Sequence, residues 1–329
     1  MTDISVAVPV YNEVESLAEF CRELHETMAK LGRSYEILLV DDGSTDGSWD
    51  LMCKQATKYP NMRLIRFRRN FGQTAAMSAG FRESCGDIIV TMDADLQNSP
   101  ADIPKLLAKM EEGFDVVSGW RKDRKDAFLN RRLPSMLANG LISKITSVRL
   151  HDYGCTLKAY RREVVKNVHL YGEMHRFIPA LARWVGASVS EVPVDHRPRR
   201  FGKSKYGISR TVRVVLDLIT VKFLMQYSKG PIQMYGKVAL AFMIPGFLML
   251  AVMGAANVAQ WCGYANKAAL LAKSPFWVVT PFMLVIFGIQ FISIGLLAEI
   301  SIRTYHESQD KPIYVIKETV ESEKKTIDS

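Results

Sequence analysis

Short apolar runs rich in Val and Ile alternate with helical periodicity over the first 120 residues. Ile4-Ser5-Val6-Ala7-Val8-Pro9-Val10 opens the series as a strand. Leu17, Phe20, Cys21, Leu24 and Met28 then fall on one helical face, and Gly32 is a stop. Tyr35 to Val40 predicts a second buried strand, and the Ser/Thr/Asp cluster after it can cap a helix from about Ser48. Met62 to Phe67 is a third strand, followed by a helix from about Gln73 to Cys85. Asp87 to Val90 is a fourth, a helix covers Ala101 to Met110, and Asp115 to Ser118 is a fifth strand. Strand–helix alternation of this kind predicts a mostly parallel sheet with helices on both faces.

The pattern changes after about residue 207. From 208 to 228, Ile208, Val212, Val215, Leu216, Ile219, Phe223 and Tyr227 keep helical spacing while Arg210, Arg213 and Lys222 lie elsewhere. That suits a helix on an anionic membrane surface or an ordinary domain helix. Val238 to Val258 and Ser274 to Ala298 then contain no charged residue. Each is long enough to cross a bilayer, which needs about 20 apolar residues. The short connector predicts antiparallel spans with both termini on one side. With no export signal on the catalytic part, that side is expected to be the cytoplasm, and Lys229, Lys237, Arg303 and Lys311 against Lys267 and Lys273 agree weakly. The expected organisation is a catalytic domain over 1–207, a juxtamembrane helix over 208–230, a two-helix anchor over 231–303 and a charged, partly disordered tail over 304–329.

Composition narrows the partners. The formal net charge is +9, which suits an anionic ligand: a nucleotide, a phospholipid surface or a nucleic acid. The basic residues cluster in loops without interleaved stacking aromatics, which argues against nucleic acid. Five scattered cysteines with no Cys-x-x-Cys pair suggest neither a zinc site nor a disulfide framework. The first apolar run is short, uncharged at its front and broken by Pro9, unlike a secretory signal.

Three predicted strands end in polar clusters: Tyr11-Asn12-Glu13, Asp41-Asp42 and Asp93-Ala94-Asp95. On a parallel sheet these ends gather at one edge, where such folds bind ligands. Asp93 and Asp95 are two apart, so both face one side of an extended strand. Paired carboxylates repel unless a cation lies between them, and a hard divalent ion could also hold a diphosphate. Neither Gly-x-Gly-x-x-Gly nor Gly-x-x-x-x-Gly-Lys-Ser/Thr occurs, which disfavours dinucleotide and P-loop sites.

Pro9-Val10-Tyr11-Asn12-Glu13, Asp41-Asp42-Gly43-Ser44, Asn70-Phe71-Gly72-Gln73 and Asp93-Ala94-Asp95-Leu96-Gln97 together resemble glycosyltransferase family 2, inverting sugar-nucleotide enzymes of GT-A fold. The resemblance covers about residues 1 to 230. It implies a Rossmann-like α/β catalytic domain followed by two transmembrane helices. It places Pro9, Tyr11, Glu13, Asp41 and Asp42 at the nucleoside of the donor. Asp93, Asp95 and Gln97 fall at the diphosphate, with Asp95 and Gln97 as ligands of Mg²⁺ or Mn²⁺. Arg131 and Ser135 are four apart on one helical face and resemble phosphate-reaching positions of polyprenyl-phosphate sugar transferases. Asp152 to Arg162 resembles a segment of the bacterial undecaprenyl-phosphate formamido-arabinose transferases. Asp152 there admits two readings, a general base or a residue that orders the acceptor loop. A phosphate with a second pKa of about 6 needs little base help at neutral pH.

From Arg197 to Lys205 five cations occur in nine residues around Gly202. The resemblance assigns Arg199 and Lys205 to the acceptor phosphate, while basic residues beside a membrane also bind lipid head groups. The implied reaction moves a sugar from a nucleotide donor, UDP before GDP, to a polyisoprenyl phosphate such as undecaprenyl phosphate, with association of copies through the anchor. A processive polysaccharide synthase is the first rival, but Ala180 stands where Gln-x-x-Arg-Trp requires Gln, and Trp184 reads as a helix-packing residue. A catalytically inactive membrane subunit is the second, opposed by the intact acidic motifs.

Overall fold

The computed structural model describes residues 2–122, 148–166, 174–184, 186–198, 231–263, 274–307 and 316–321, together with positions 139–140, 142–143, 145–146, 168, 170, 172, 200, 217–218 and 221–222. Arg131, Ser135, Arg199 and Lys205, and most of the expected juxtamembrane helix, lie outside the described residues. Met1–Lys222 and Pro312–Ser329 form one compact unit, and Phe223–Lys311 forms a second.

The first unit is built on an eight-stranded sheet. Its strands are β1 (Ile4–Val10), β2 (Tyr35–Asp41), β3 (Met62–Phe67), β4 (Ile88–Thr91), β5 (Val116–Trp120), β6 (Lys158–Arg161), β7 (Val189–Pro193) and β8 (Ile316–Glu321). They lie in the order β7-β5-β6-β4-β1-β2-β3-β8. The pairs β1–β2, β1–β4, β2–β3 and β5–β7 are parallel. β6 runs antiparallel to both β4 and β5, and β8 antiparallel to β3. The parallel centre follows the expected alternation, with helices α1 (Val14–Lys30), α2 (Ser48–Lys58), α3 (Gln73–Glu83) and α4 (Ile103–Glu111) between strands. Two shorter helices, α5 (Arg162–Lys166) and α6 (Ile178–Trp184), follow β6.

The apolar periods of the helices explain the layers. Leu17, Phe20, Cys21, Leu24 and Met28 of α1 are all buried, in one core with Val6, Val8, Leu39 and Leu106. On the opposite face Ala75, Ala76 and Ala79 of α3 pack on Leu38, Val40 and Ile65. Alanines let α3 lie close: a Cβ at Gly80 would stand 2.8 Å from Ala7 Cβ. Burial of each large apolar side chain, such as Leu17 or Phe20, contributes roughly 1.5–3 kcal/mol. At the amino edge of the sheet, Glu36 accepts from Ser5 Oγ at 2.5 Å, Cys85 N at 2.6 Å and Arg63 at 3.1 Å. This acid is committed to structure.

Part of the charged tail is ordered: its backbone at Ile316–Glu321 forms β8, with Arg63 opposite Glu321 and Arg66 opposite Glu318. Trp184 closes α6 and is 36% exposed.

The second unit is a helical pair, α7 (Pro231–Trp261) and α8 (Pro275–Glu307). Both are long and apolar enough to cross a membrane, and most of their large apolar side chains are exposed. Phe242 stacks on Phe291 at 5.6 Å, while Gly295 faces Tyr235, Gly288 faces Met243 and Gly246 faces Val285. Low numbers meet high ones, so the pair is antiparallel. Small residues at the contact let the backbones approach, as in lipid-embedded helix pairs.

Candidate active site

Strand register brings the acids together. Val10 is opposite Asp41 and Ala7 opposite Thr91, the last residue of β4, so Asp93 follows two residues beyond the strand end beside β1. The loops beyond β1 and β2 are stitched together. Asn12 N donates to Ser44 Oγ, Thr45 N to Asn12 Oδ1, Glu13 N to Ser48 Oγ and Val14 N to Asp46 Oδ2, at 2.8–3.1 Å. Tyr11 and Glu13 are thereby fixed at the edge, both half-buried.

Asp41 and Asp42 are both buried but differ in use. Asp41 Oδ1 accepts from Ser44 N at 3.0 Å. Its Oδ2 makes no hydrogen bond among the described residues and lies 3.5 Å from Arg66 Nε. Burial raises the Asp41 pKa against that pull. Asp42 spends both oxygens on the next motif: Phe71 N at 2.7 Å, Gly72 N at 2.9 Å and Asn70 Nδ2 at 2.9 Å. Burial pushes its carboxyl up to about 6. The Asn70-Phe71-Gly72-Gln73 turn is thus hung from Asp42, and Gln73 reaches Asp93 Oδ1 at 2.8 Å. Four motifs separated in sequence form one connected edge.

Burial first, and then the negative charges of Asp95 and Glu13, push the Asp93 carboxyl up to about 7. Asp95 is 8% exposed, and its Oδ1 accepts from Gln97 N at 3.1 Å. Leu96 between them has φ +60°, a left-handed conformation costly for a branched side chain. Strain of this sort concentrates at functional turns.

Several contacts were not foreseen from sequence. Arg121 clamps Asp152 through Nε at 2.6 Å and Nη2 at 3.0 Å, and Asp152 Oδ1 also accepts from Gly154 N at 3.0 Å. Both Asp152 oxygens are thus committed, to Arg121 and to Gly154. Thr156 joins this loop to the acidic motif: its carbonyl accepts from Thr91 Oγ1 at 2.8 Å, and its hydroxyl accepts from Asn98 Nδ2 at 3.1 Å. His175, buried, pairs with Thr74 at 2.7 Å, one residue from Gln73. The basic loop begins beside Gln97, whose carbonyl accepts from Arg197 N at 2.8 Å. Of its five cations, Arg197 binds Glu23 at 2.9 Å and Arg200 binds Glu19 at 3.3 Å, which ties the loop to α1.

The carboxyl edge of the parallel centre of the sheet thus collects carboxylates from the ends of three strands, where folds of this kind bind ligands. Residues 5–168 match the family model described as "Glycosyl transferase family 2". Over 324 residues the chain is 40% identical to dodecaprenyl-phosphate galacturonate synthase of Rhizobium johnstonii, covering 96% of this chain and 92% of that protein. It is 39% identical over 321 residues to undecaprenyl-phosphate 4-deoxy-4-formamido-L-arabinose transferase of Salmonella paratyphi B, covering 96% and 93%. Glucosyl-3-phosphoglycerate synthase from Mycobacterium tuberculosis, solved with Mn²⁺, UDP and glucosyl-3-phosphoglycerate, shares the fold. Its TM-score is 0.53 at 16% identity, covering 68% of this chain and 80% of that one. The chain belongs to glycosyl transferase family 2.

Proposed function

We propose that the chain transfers a sugar from a nucleotide diphosphate, with UDP as the nucleotide, to the phosphate of a polyisoprenyl lipid such as undecaprenyl phosphate. The observation that carries this reading is the joined acidic edge, in a chain that also holds two bilayer-length apolar helices. Both relatives named above are, by name, polyprenyl-phosphate enzymes and match nearly the whole chain.

On this reading Pro9, Tyr11, Glu13 and Asp41 bind the nucleoside. The buried Asp41 Oδ2 is an acceptor suited to the N3–H of uracil, while Asp42 holds the turn that positions Gln73. The crowding of Asp93, Asp95 and Glu13 fits a hard cation, because it is negative, oxygen-rich and costly to keep ionised alone. Among the described residues no three His, Cys, Asp or Glu side chains form a metal-holding group by themselves. Asp95 and Gln97 would hold Mg²⁺ or Mn²⁺, with the donor diphosphate supplying further oxygens. That ion supplies positive charge to the departing diphosphate.

An acceptor phosphate oxygen attacks the anomeric carbon opposite the diphosphate. The bond to the diphosphate breaks, its electron pair leaves with the nucleotide, and the configuration inverts. The oxygen is already ionised, so Asp152 acts by holding Arg121 rather than as a base. Arg199 and Lys205, with Arg131 and Ser135, are assigned to the acceptor phosphate. The fixing of Arg197 beside Gln97 supports that assignment, since it starts their loop next to the acidic turn. The helix pair confines the enzyme to the inner membrane with the catalytic unit in the cytoplasm, as the Lys and Arg balance of its flanks favours.

The test is transfer of radiolabelled sugar from UDP- and GDP-sugars to undecaprenyl phosphate, with Mn²⁺ or Mg²⁺. Asp95→Ala should abolish lipid-linked product; substantial turnover by that variant would remove the metal role.

A further inference from the structure

Lys158 takes part in none of the contacts used so far. It opens β6, the strand inserted antiparallel between β4 and β5, where it pairs with Thr91 on one side and Ser118 on the other. Thr91 lies two residues before Asp93, and Ser118 three before Arg121. Lys158 therefore stands at the functional edge, between the acidic motif and the arginine.

Its side chain is 3% exposed. Nζ donates to Tyr153 O at 3.2 Å, its one hydrogen bond among the described residues. An ammonium has three donors and is costly to bury. An apolar side chain of similar length would fill the same space without that cost, so packing does not account for a lysine here.

The carbonyl that Lys158 grips lies in the middle of the 152–157 loop. That loop makes two of the site's joints: Asp152 fixes the Arg121 guanidinium through both oxygens, and Thr156 meets Thr91 and Asn98. Lys158 ties this loop back to the strand that follows it. We infer that Lys158 is a positioning residue for transfer: by holding the Tyr153 carbonyl it sets Asp152, and through Asp152 the direction in which Arg121 points. A lysine that merely filled the core would affect donor, acceptor and stability together. A lysine that aims Arg121 affects turnover and leaves the nucleotide half of the site intact.

The inference rests on the transfer reaction proposed above, and the experiment separates the two. Full-length Lys158→Met, Lys158→Arg, Arg121→Lys and the Lys158→Met/Arg121→Lys double variant are assayed with UDP-sugar and undecaprenyl phosphate, and UDP binding is titrated with Mn²⁺. Lys158→Met should lower kcat by about tenfold or more with UDP affinity within about twofold, and the double variant should be no worse than Arg121→Lys, since groups that act as one unit are not additive. Lys158→Arg, which keeps a donor for the carbonyl, should recover most of the rate. Wild-type turnover by Lys158→Met, parallel loss of UDP binding, or losses that multiply in the double variant would each overturn the inference.

A readout independent of turnover is labelling of Arg121 by phenylglyoxal, followed by mass spectrometry. Lys158→Met should label faster at Arg121 than wild type, and equal labelling would overturn the inference. A wild-type protein inactive with every sugar nucleotide would condemn the proposed reaction, while the labelling result would still decide the role of Lys158.

Discussion

Replacing Gly43 with alanine should damage both stability and transfer, and the structure sets the size of the effect. Gly43 lies between Asp42 and Ser44 with φ +72°. A Cβ there would stand 2.5 Å from the Arg69 carbonyl carbon and 2.7 Å from Asn70 N, both backbone atoms that cannot swing away. The left-handed conformation costs an L-residue about 1–2 kcal/mol. Overlap with a fixed neighbour adds about 1–3 kcal/mol. A total near 3 kcal/mol corresponds to a fall in Tm of roughly 6–12 °C for a domain of this size. Gly47 is the control: its φ is +90°, but nothing lies within 4 Å of its Cβ position. Gly47→Ala should cost only the conformational part, about 1–2 kcal/mol. Thermal unfolding of purified protein compares the two. Gly43→Ala should also lose transfer, because the displaced segment carries Asn70 and leads to Gln73 on Asp93. Equal Tm losses in the two variants would refute the close approach of the Gly43 and Asn70 turns.

Lys158 carries a pH signature. Burial pushes its ammonium down to about 8 from an ordinary 10.5. The unfolded chain binds that proton more tightly, so the burden on folding is absent above 10.5, full below about 8, and stability from this group rises with pH between them. At pH 7 the burden is at most about 3 kcal/mol, less about 1 kcal/mol for the bond to Tyr153. Lys158→Met should therefore melt higher than wild type at pH 7, with the gap narrower at pH 9.5; a gap that does not narrow would disprove it. Ending the chain at Lys311 removes β8 and bares the edge of β3. Exposed edges recruit other strands, so light scattering should show larger, concentration-dependent particles; unchanged mass would mean that the edge needs no cover.

The parallel centre of the sheet was legible because its signals are local. Each of β1 to β4 is an apolar run between punctuating residues, and each long helix has a clear apolar stripe. The acidic edge followed from register: once the strands are parallel, Asp41 and Asp93 must come level with the end of β1. The missed elements depend on distant partners. Leu157-Lys158-Ala159-Tyr160 is short and interrupted by a lysine, and only β4 and β5 on either side make it a strand. Ile316 to Glu321 is half charged and reads as a solvated tail; its pairing partner lies some 250 residues earlier. The same limit applied within the site. In sequence Arg121 is one of several cations after Gly119 and Asp152 has no neighbour that marks a partner, because nothing local reveals a pair 31 residues apart. Asp42 sits beside Asp41 in sequence yet turns to the 70–72 backbone, a distinction made by strand alternation and burial.

The strand added by the last residues changes what the apolar helices are. They are an insertion, since the chain departs from the catalytic unit before them and rejoins its sheet afterwards. One break in the connector between 264 and 273 would leave a long piece ending in α7 and a short piece made of α8 and β8. Each piece would keep its own hold on the other, through the packed helices and through the β3–β8 ladder. Expressed as two separate polypeptides split at that point, the halves should find each other in the membrane and restore a working enzyme.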